Sequence, residues 1–302
     1  IIKLDHYNNL KVIVGIPAFN EEKNIAKIIV KLKRKYDHVI VCDDGSSDMT
    51  QDIATSLGAI VIKHSTNLGY GAAIKTIFNE SKKIDCDVLV TFDADGQHQI
   101  SEIDSILKPI IKNNADIVIG SRFLGSAKDL PKYRKIGIKT ITSLTNTLTG
   151  SNITDSQSGF RAYSKKVLKE ITPTESGMGI STEILIKSAK NKMRMTEIPI
   201  TISYEGNTHS QKAVSHGTSV VMSTIKHVAI ERPLLYYGVT GLCFTILGLI
   251  FGGWTIQIFS EERILAPGFA LIGIGGVILG TILLITATIL YSIVNVIREK
   301  NN

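Results

Sequence analysis

Residues 87–99 read DVLVTFDADGQHQ. The apolar run Val88, Leu89, Val90 and Phe92 suits a sheet interior, and it delivers Asp93 and Asp95 to the strand's exit. A turn at Gly96 can bring both carboxylates towards one cation. A hard divalent ion such as Mg2+ or Mn2+, held by one or two carboxylates plus substrate phosphates, is the usual consumer of such a pair. A calcium loop is a poorer match, because it wants an acid and a glycine where Gln97 and His98 stand. Taken alone, Asp-x-Asp also suits a solvated strand end.

A second acidic cluster, VCDDGSSDMT, puts Asp43 and Asp44 at the end of another apolar run. An acid there in a nucleotide-binding α/β fold can accept hydrogen bonds from a ribose or a base. Asp48 reads more simply as a helix N-cap or first-turn acid, with Ser46 and Ser47 as turn formers. The chain has neither a G-x-G-x-x-G after its first strand nor a phosphate-binding G-x-x-x-x-G-K-[ST], which disfavours a dinucleotide oxidoreductase or an NTPase. His98, His209 and His216 have no metal-ligand spacing and read as incidental.

The elements that must position these residues alternate. KVIVGIPAFN is a strand and its turn; the helix after it has Ile25, Ile28, Ile29 and Leu32 at helical spacing. HVIVCDDGSSD repeats the pattern, with a helix expected from Asp48 through Leu57. AIVIKH is a third strand, GYGAAIKTIFNESKK a helix, DVLVTFDAD a strand, 101–113 a helix and ADIVIGSRF a strand. Near-continuous Val, Ile and Leu in strands separated by helices predict a mostly parallel sheet covered on both faces. In such sheets ligands bind beyond the carboxyl ends of the strands, where PAFNEE, DDGSSD, DADGQH and GSRF all fall.

The 302 residues carry a net charge of +7, and the chain after Arg232 has three basic and three acidic residues, so all of the excess belongs to 1–232. No charged residue occurs from Pro233 to Ser260 or from Ile264 to Ile297. Each run exceeds the roughly 20 apolar residues that a bilayer asks of a helix, and a two-span hairpin is expected, over about 235–259 and 266–296. Lys226 and Arg232 before it, and Arg298 and Lys300 after it, put the large domain and the C-terminus in the cytoplasm. Neither span holds an ionisable residue, so an anchor is expected rather than a pore. Gly241, Gly248, Gly252, Gly273, Gly276 and Gly280 would let the spans approach closely. Cys42, Cys86 and Cys243 have no disulfide or metal spacing and fit a reducing compartment. Because the chain begins with Ile1 and Ile2, a few residues are expected to precede it, and no signal peptide is expected within the 302 residues.

The segments IPAFNEEKNI, VCDDGSSDMT, NLGYGAAIKTIF, FDADGQHQ, IGSRF and DSQSGFRAYS succeed one another in an order and spacing that resembles the inverting family-two glycosyltransferases of the polyprenyl-phosphate (dolichyl-phosphate) group, dolichol-phosphate-mannose synthases among them. The resemblance covers residues 11 to about 232. It implies a GT-A-type (Rossmann-like) α/β domain over 1–213. Residues 214–232, apolar on one face with Lys226 and Arg232 near the membrane start, read as an amphipathic or interfacial helix or equally as one packed on the domain, ahead of the transmembrane hairpin over 233–302. Residues 135–150 are a second candidate for lying on the membrane. It further implies that Pro17, Ala18, Asn20, Glu21, Asp43 and Asp44 hold the base and ribose of a nucleotide-sugar donor. Asp93, Asp95 and Gln97 match a triad for Mg2+ or Mn2+ and the diphosphate. Arg122 and Arg134 match residues that bind the phosphate of a dolichyl or polyprenyl acceptor. Asp155, with Ser158, Gly159 and Phe160, lines the acceptor side as a base or as an orienting group for an arginine. Lys212 resembles a mobile-loop base that closes over the diphosphate, although YEGNTHSQK departs from the usual pattern there.

The expected activity is inverting, metal-dependent transfer from GDP-mannose or UDP-glucose, mannose being favoured, which feeds lipid-linked sugar to glycosylation. A family-two enzyme with another acceptor and a membrane-tethered nucleotide-sugar-binding protein are the alternatives. The charge suits an anionic bilayer surface. A nucleic-acid partner is not expected, since no platform of basic and aromatic residues is evident.

Overall fold

Seven short runs rich in Val and Ile pair into one sheet: Val12–Ala18 (β1), His38–Asp43 (β2), Ile60–Lys63 (β3), Val88–Thr91 (β4), Ile117–Ser121 (β5), Arg161–Ser164 (β6) and Met195–Pro199 (β7). Their order is β3-β2-β1-β4-β6-β5-β7. Every pairing is parallel except those of β6, which runs antiparallel to both β4 and β5. These contacts come from a computed structural model that describes residues 10–125, 131–202, 233–264 and 266–300.

Helices cover both faces. They are Glu22–Lys33 (α1), Thr50–Ser56 (α2), Tyr70–Lys83 (α3), Ile103–Ile111 (α4), Lys132–Thr149 (α5), Lys165–Glu170 (α6) and Ile180–Lys190 (α7). Successive strand residues point to opposite faces, and the core divides accordingly. Val12, Val14 and Ile16 pack with Ile25, Ile29 and Ile106 on one side. Ile13, Ile40 and Leu89 pack with Ile77, Phe78 and Ile184 on the other. The sheet is therefore a rigid partition, and its strand ends are fixed points.

Two expectations need correction. Helix α2 starts at Thr50 rather than Asp48, because the Asp48 carboxylate accepts from the Thr50 amide at 3.0 Å and closes a turn before the helix. Helix α4 starts at Ile103, after a 3-10 turn over Ile100–Glu102. The segment 135–150 is most of α5, which packs Ile138, Ile141, Thr142 and Thr145 into the domain and leaves Ile136 66% exposed.

The chain divides into two units, Ile1–Thr224 and Ile225–Asn302. In the second, a π-helical turn at Leu234–Gly238 leads into Val239–Glu262 (α8), and Pro267–Lys300 (α9) comes next. Tyr236–Glu262 and Pro267–Val294 are long and apolar enough to cross a bilayer. The first helix outruns its apolar stretch and ends only where Arg263 turns left-handed, at φ 55°. The two helices meet through small residues. A Cβ added at Gly248 would stand 2.5 Å from the Val277 amide, and one at Gly276 would stand 2.9 Å from Gly248 Cα. The expected interfacial helix over 214–232 and Lys212 lie outside the described residues.

Candidate active site

A cleft of about 700 Å3 opens where β1, β2, β4 and β5 end. Pro17, Ala18, Glu21, Asp44, Asp93, Asp95, Gln97, Arg122 and Arg134 all line it, so residues up to 117 positions apart in the chain meet in one place. Asn20, Asp43 and Asp155 are absent from its wall.

Asp93 is held from two sides. Tyr70 donates its hydroxyl to Oδ1 at 3.2 Å, and His98 Nε2 lies 3.3 Å from Oδ2. The histidine read as incidental is thus a partner of the acidic pair, seated against Phe92 and Phe160. Burial pushes Asp93 up, but these hydrogen bonds and the charge of His98 outweigh it, leaving its carboxyl below the usual range. Asp95 has the opposite fate. Burial, then the neighbouring Asp93 charge, push it up to about 6, against a hydrogen bond from the Gln97 amide at 3.0 Å. Like charges that cannot both be ionised cheaply are what a divalent cation would relieve.

The donor set fits such an ion. Among the described residues no group of three or more His, Cys, Asp or Glu could hold a metal by itself. Two carboxylates and the Gln97 carboxamide offer only hard oxygen ligands, which suits Mg2+ or Mn2+ when substrate phosphates complete the shell.

Asp44 is tied into the scaffold. Its Oδ1 accepts from His64 Nδ1 at 2.7 Å and from the Leu68 amide at 3.0 Å, and Oδ2 accepts from the Gly69 amide at 2.8 Å. Asp43 turns back to Ser46, whose amide it accepts at 3.1 Å. Its Oδ2 is buried without a hydrogen-bond partner among the described residues. Asn20, left-handed at φ 56°, accepts from the Ser47 amide at 2.9 Å, while its own amide donates to Ser46 Oγ at 2.9 Å. Asn20 and Asp43 therefore shape the loops behind the wall.

Arg122, another lining residue, pairs with Asp155 through Nε–Oδ2 at 2.6 Å and Nη2–Oδ1 at 2.7 Å. Asp155 is fully buried; burial pushes its carboxyl up, and the Arg122 hydrogen bonds and charge prevail and hold it below the usual range. Its loop hangs from Glu197 on β7, which accepts the Thr154 and Asp155 amides at 2.7 and 2.9 Å. Arg134 reaches the same cleft from the first turn of α5 and is exposed.

Other residues also build the site, and of these the sequence had pointed only to Gly159. Arg161, 1% exposed, donates to the carbonyls of Ser156, Ser158 and Ser181 at 2.7–2.8 Å, so one guanidinium fixes the 156–158 turn against α7. Gly159 comes directly after that turn. A Cβ there would stand 2.6 Å from Asp93 Oδ2 and from the Tyr70 hydroxyl, so only glycine lets the backbone pass so close. Glu183 accepts the Thr174 and Glu175 amides at 2.9 and 2.8 Å and holds the loop that packs on Gly69 and Gly71. The segment DSQSGFRAYS held the signal for Arg161 and NLGYGAAIKTIF that for Tyr70, but nothing local marks Glu183 or Glu197.

Known proteins with this architecture narrow the reading. Residues 13–172 match the model of glycosyl transferase family 2. The chain is 35% identical over 229 residues to a UDP-N-acetylglucosamine–dolichyl-phosphate N-acetylglucosaminyltransferase of Methanococcus voltae, covering 68% of this chain and 89% of the relative. It is 30% identical over 214 residues to a dolichol-phosphate mannosyltransferase of Pyrococcus furiosus, covering 67% and 59%. Its fold is that of glucosyl-3-phosphoglycerate synthase of Mycobacterium tuberculosis, solved with Mn2+, UDP and phosphoglyceric acid, with a TM-score of 0.60 at 17% identity over 74% of this chain and 80% of the other. With a GT-A-like, mostly parallel seven-stranded sheet and the family's model matched over residues 13–172, more than half of the sequence, the chain belongs to glycosyl transferase family 2.

Proposed function

We propose that the protein transfers a hexose from a nucleotide-sugar to dolichyl or polyprenyl phosphate, with inversion, at a membrane surface. One observation carries this reading: a single cleft is lined both by the Asp93–Asp95–Gln97 set and by Arg122 and Arg134. The relatives named for transfer to dolichyl phosphate support the acceptor. The two apolar helices support the membrane setting, with the catalytic unit on the cytoplasmic side by the positive-inside rule.

In the proposed reaction a phosphate oxygen of the acceptor bonds to the anomeric carbon while the bond to the donor diphosphate breaks, the electron pair leaving with the nucleoside diphosphate. A divalent cation held by Asp93, Asp95 and Gln97 would stabilise that departing charge as a Lewis acid. The acceptor is already largely ionised at pH 7, its second pKa being near 6. It needs alignment rather than a strong base, and Arg122 and Arg134 supply positive charge for that. Asp155, buried with both oxygens on Arg122, acts as an orienting group. Pro17, Ala18, Glu21 and Asp44 contact the nucleoside. The relatives divide between N-acetylglucosamine and mannose, so the sugar is decided by donor screening.

The test is incorporation of label from GDP-mannose, UDP-glucose and UDP-N-acetylglucosamine into organic-extractable lipid by the full chain in detergent with dolichyl phosphate. A β-linked lipid-phosphate sugar from an α-linked donor is expected. Nucleotide-sugar binding with no lipid product from any donor contradicts the proposal.

A further inference from the structure

The wall residue Asp44 has little capacity left for a ligand, and the reason is His64. A carboxylate offers about four lone-pair sites. Asp44 Oδ1 uses two, on His64 Nδ1 and the Leu68 amide, and Oδ2 uses one, on the Gly69 amide. His64 is itself locked: its Nδ1 donates to Asp44, since a carboxylate oxygen has only lone pairs to offer, and its Nε2 lies 2.9 Å from Thr76 Oγ on α3. Cys42 Sγ, 3.5 Å from Nε2, closes the remaining side. The side chains of His64 and Asp44 are 10% and 5% exposed, so water cannot readily replace either partner.

From this count we infer that the His64–Asp44 pair selects a uridine nucleotide and disfavours a guanosine nucleotide, the donor binding as proposed above. A carboxylate reads guanine by accepting N1–H and N2–H side by side, one on each oxygen. Oδ1 is already filled, so only the last Oδ2 lone pair remains. One lone pair matches the single N3–H of uracil. The other acidic wall residue near this loop, Glu21, accepts from Asn24 at 3.0 Å and its charge acts on Asp95, so it is assigned to the ribose rather than to the base. His64 is thus a positioning residue that sets base specificity without touching the ligand.

The experiment is calorimetric titration of UDP and GDP, with Mg2+, into the full chain in detergent and into its His64→Ala and His64→Asn variants. Wild type is expected to bind UDP at least about tenfold more tightly than GDP, the worth of about one hydrogen bond. His64→Ala loosens Asp44, weakening UDP and bringing the two nucleotides within about threefold of each other. His64→Asn keeps an N–H at the Nδ1 position and is expected to keep the wild-type preference. GDP binding as tightly as UDP overturns the inference, as does a His64→Ala loss equal for both nucleotides, which would assign Asp44 to the shared ribose. His64→Asn behaving like His64→Ala overturns it too. Binding of neither nucleotide to wild type would instead defeat the glycosyltransferase reading on which the inference rests.

Discussion

Asp155 and Arg122 form a bidentate pair beneath the cleft wall, the carboxylate wholly buried and the guanidinium facing the cavity. A pair of this kind fixes where a positive charge sits, and losing one partner strands the other in a medium that solvates it poorly. Asp155→Ala is therefore expected to destabilise the catalytic unit by about 3–5 kcal/mol, read as a lower denaturation midpoint. A general base would show another pattern, with turnover lost and stability kept.

Asp95 makes a signed prediction about pH. Its metal-free pKa is raised to about 6 by burial and by Asp93, above the ordinary carboxylate value of about 3.9. Its contribution to stability is fully present below about pH 3.9 and is lost as the pH rises through about 6. At pH 7.5 the metal-free fold therefore carries repulsion that Asp95→Asn removes. The variant is expected to be more stable than wild type by about 1–2 kcal/mol there, allowing for screening by solvent. The gap should vanish as the pH falls towards about 4. Thermal melts in EDTA across that range are the check, and a less stable Asp95→Asn at pH 7.5 would mean that no repulsion is stored.

Gly159→Ala tests the close passage of the chain entering β6 past the acidic pair. The added methyl meets Asp93 and Tyr70 oxygens at 2.6–2.7 Å, so the carboxylate must move. Displacement of a positioning group by about 1 Å can cost about 100-fold in rate. A loss of that order in sugar transfer is expected, with a circular dichroism spectrum like wild type. Full activity would show that Asp93 tolerates displacement.

The strands that end in chemistry were legible in the sequence because each is a continuous apolar run closed by acids and glycine. Asp93 and Asp95 stand out for that reason, and so does the glycine seam between α8 and α9. Strand β6 was not legible: RAYS is four residues long, and its insertion between β4 and β5 depends on pairing with residues about 45 and 75 positions away. His98 was misjudged because its value lies in a contact with Asp93 that only the turn at Gly96 creates. Arg161 and Glu197 act on backbone groups, and sequence spacing carries no record of which carbonyl or amide a folded side chain will meet.

The claim on which the rest depends is that Asp93 and Asp95 share a divalent cation with the donor diphosphate. The most direct measurement is the free Mn2+ electron paramagnetic resonance signal, titrated with the full chain and UDP. The signal is expected to fall with wild type and UDP together and to stay near its free-ion intensity with Asp95→Asn, and sugar transfer is expected to stop in excess EDTA and return with Mn2+. Equal Mn2+ uptake by Asp95→Asn, or undiminished transfer in EDTA, would contradict the shared-cation site.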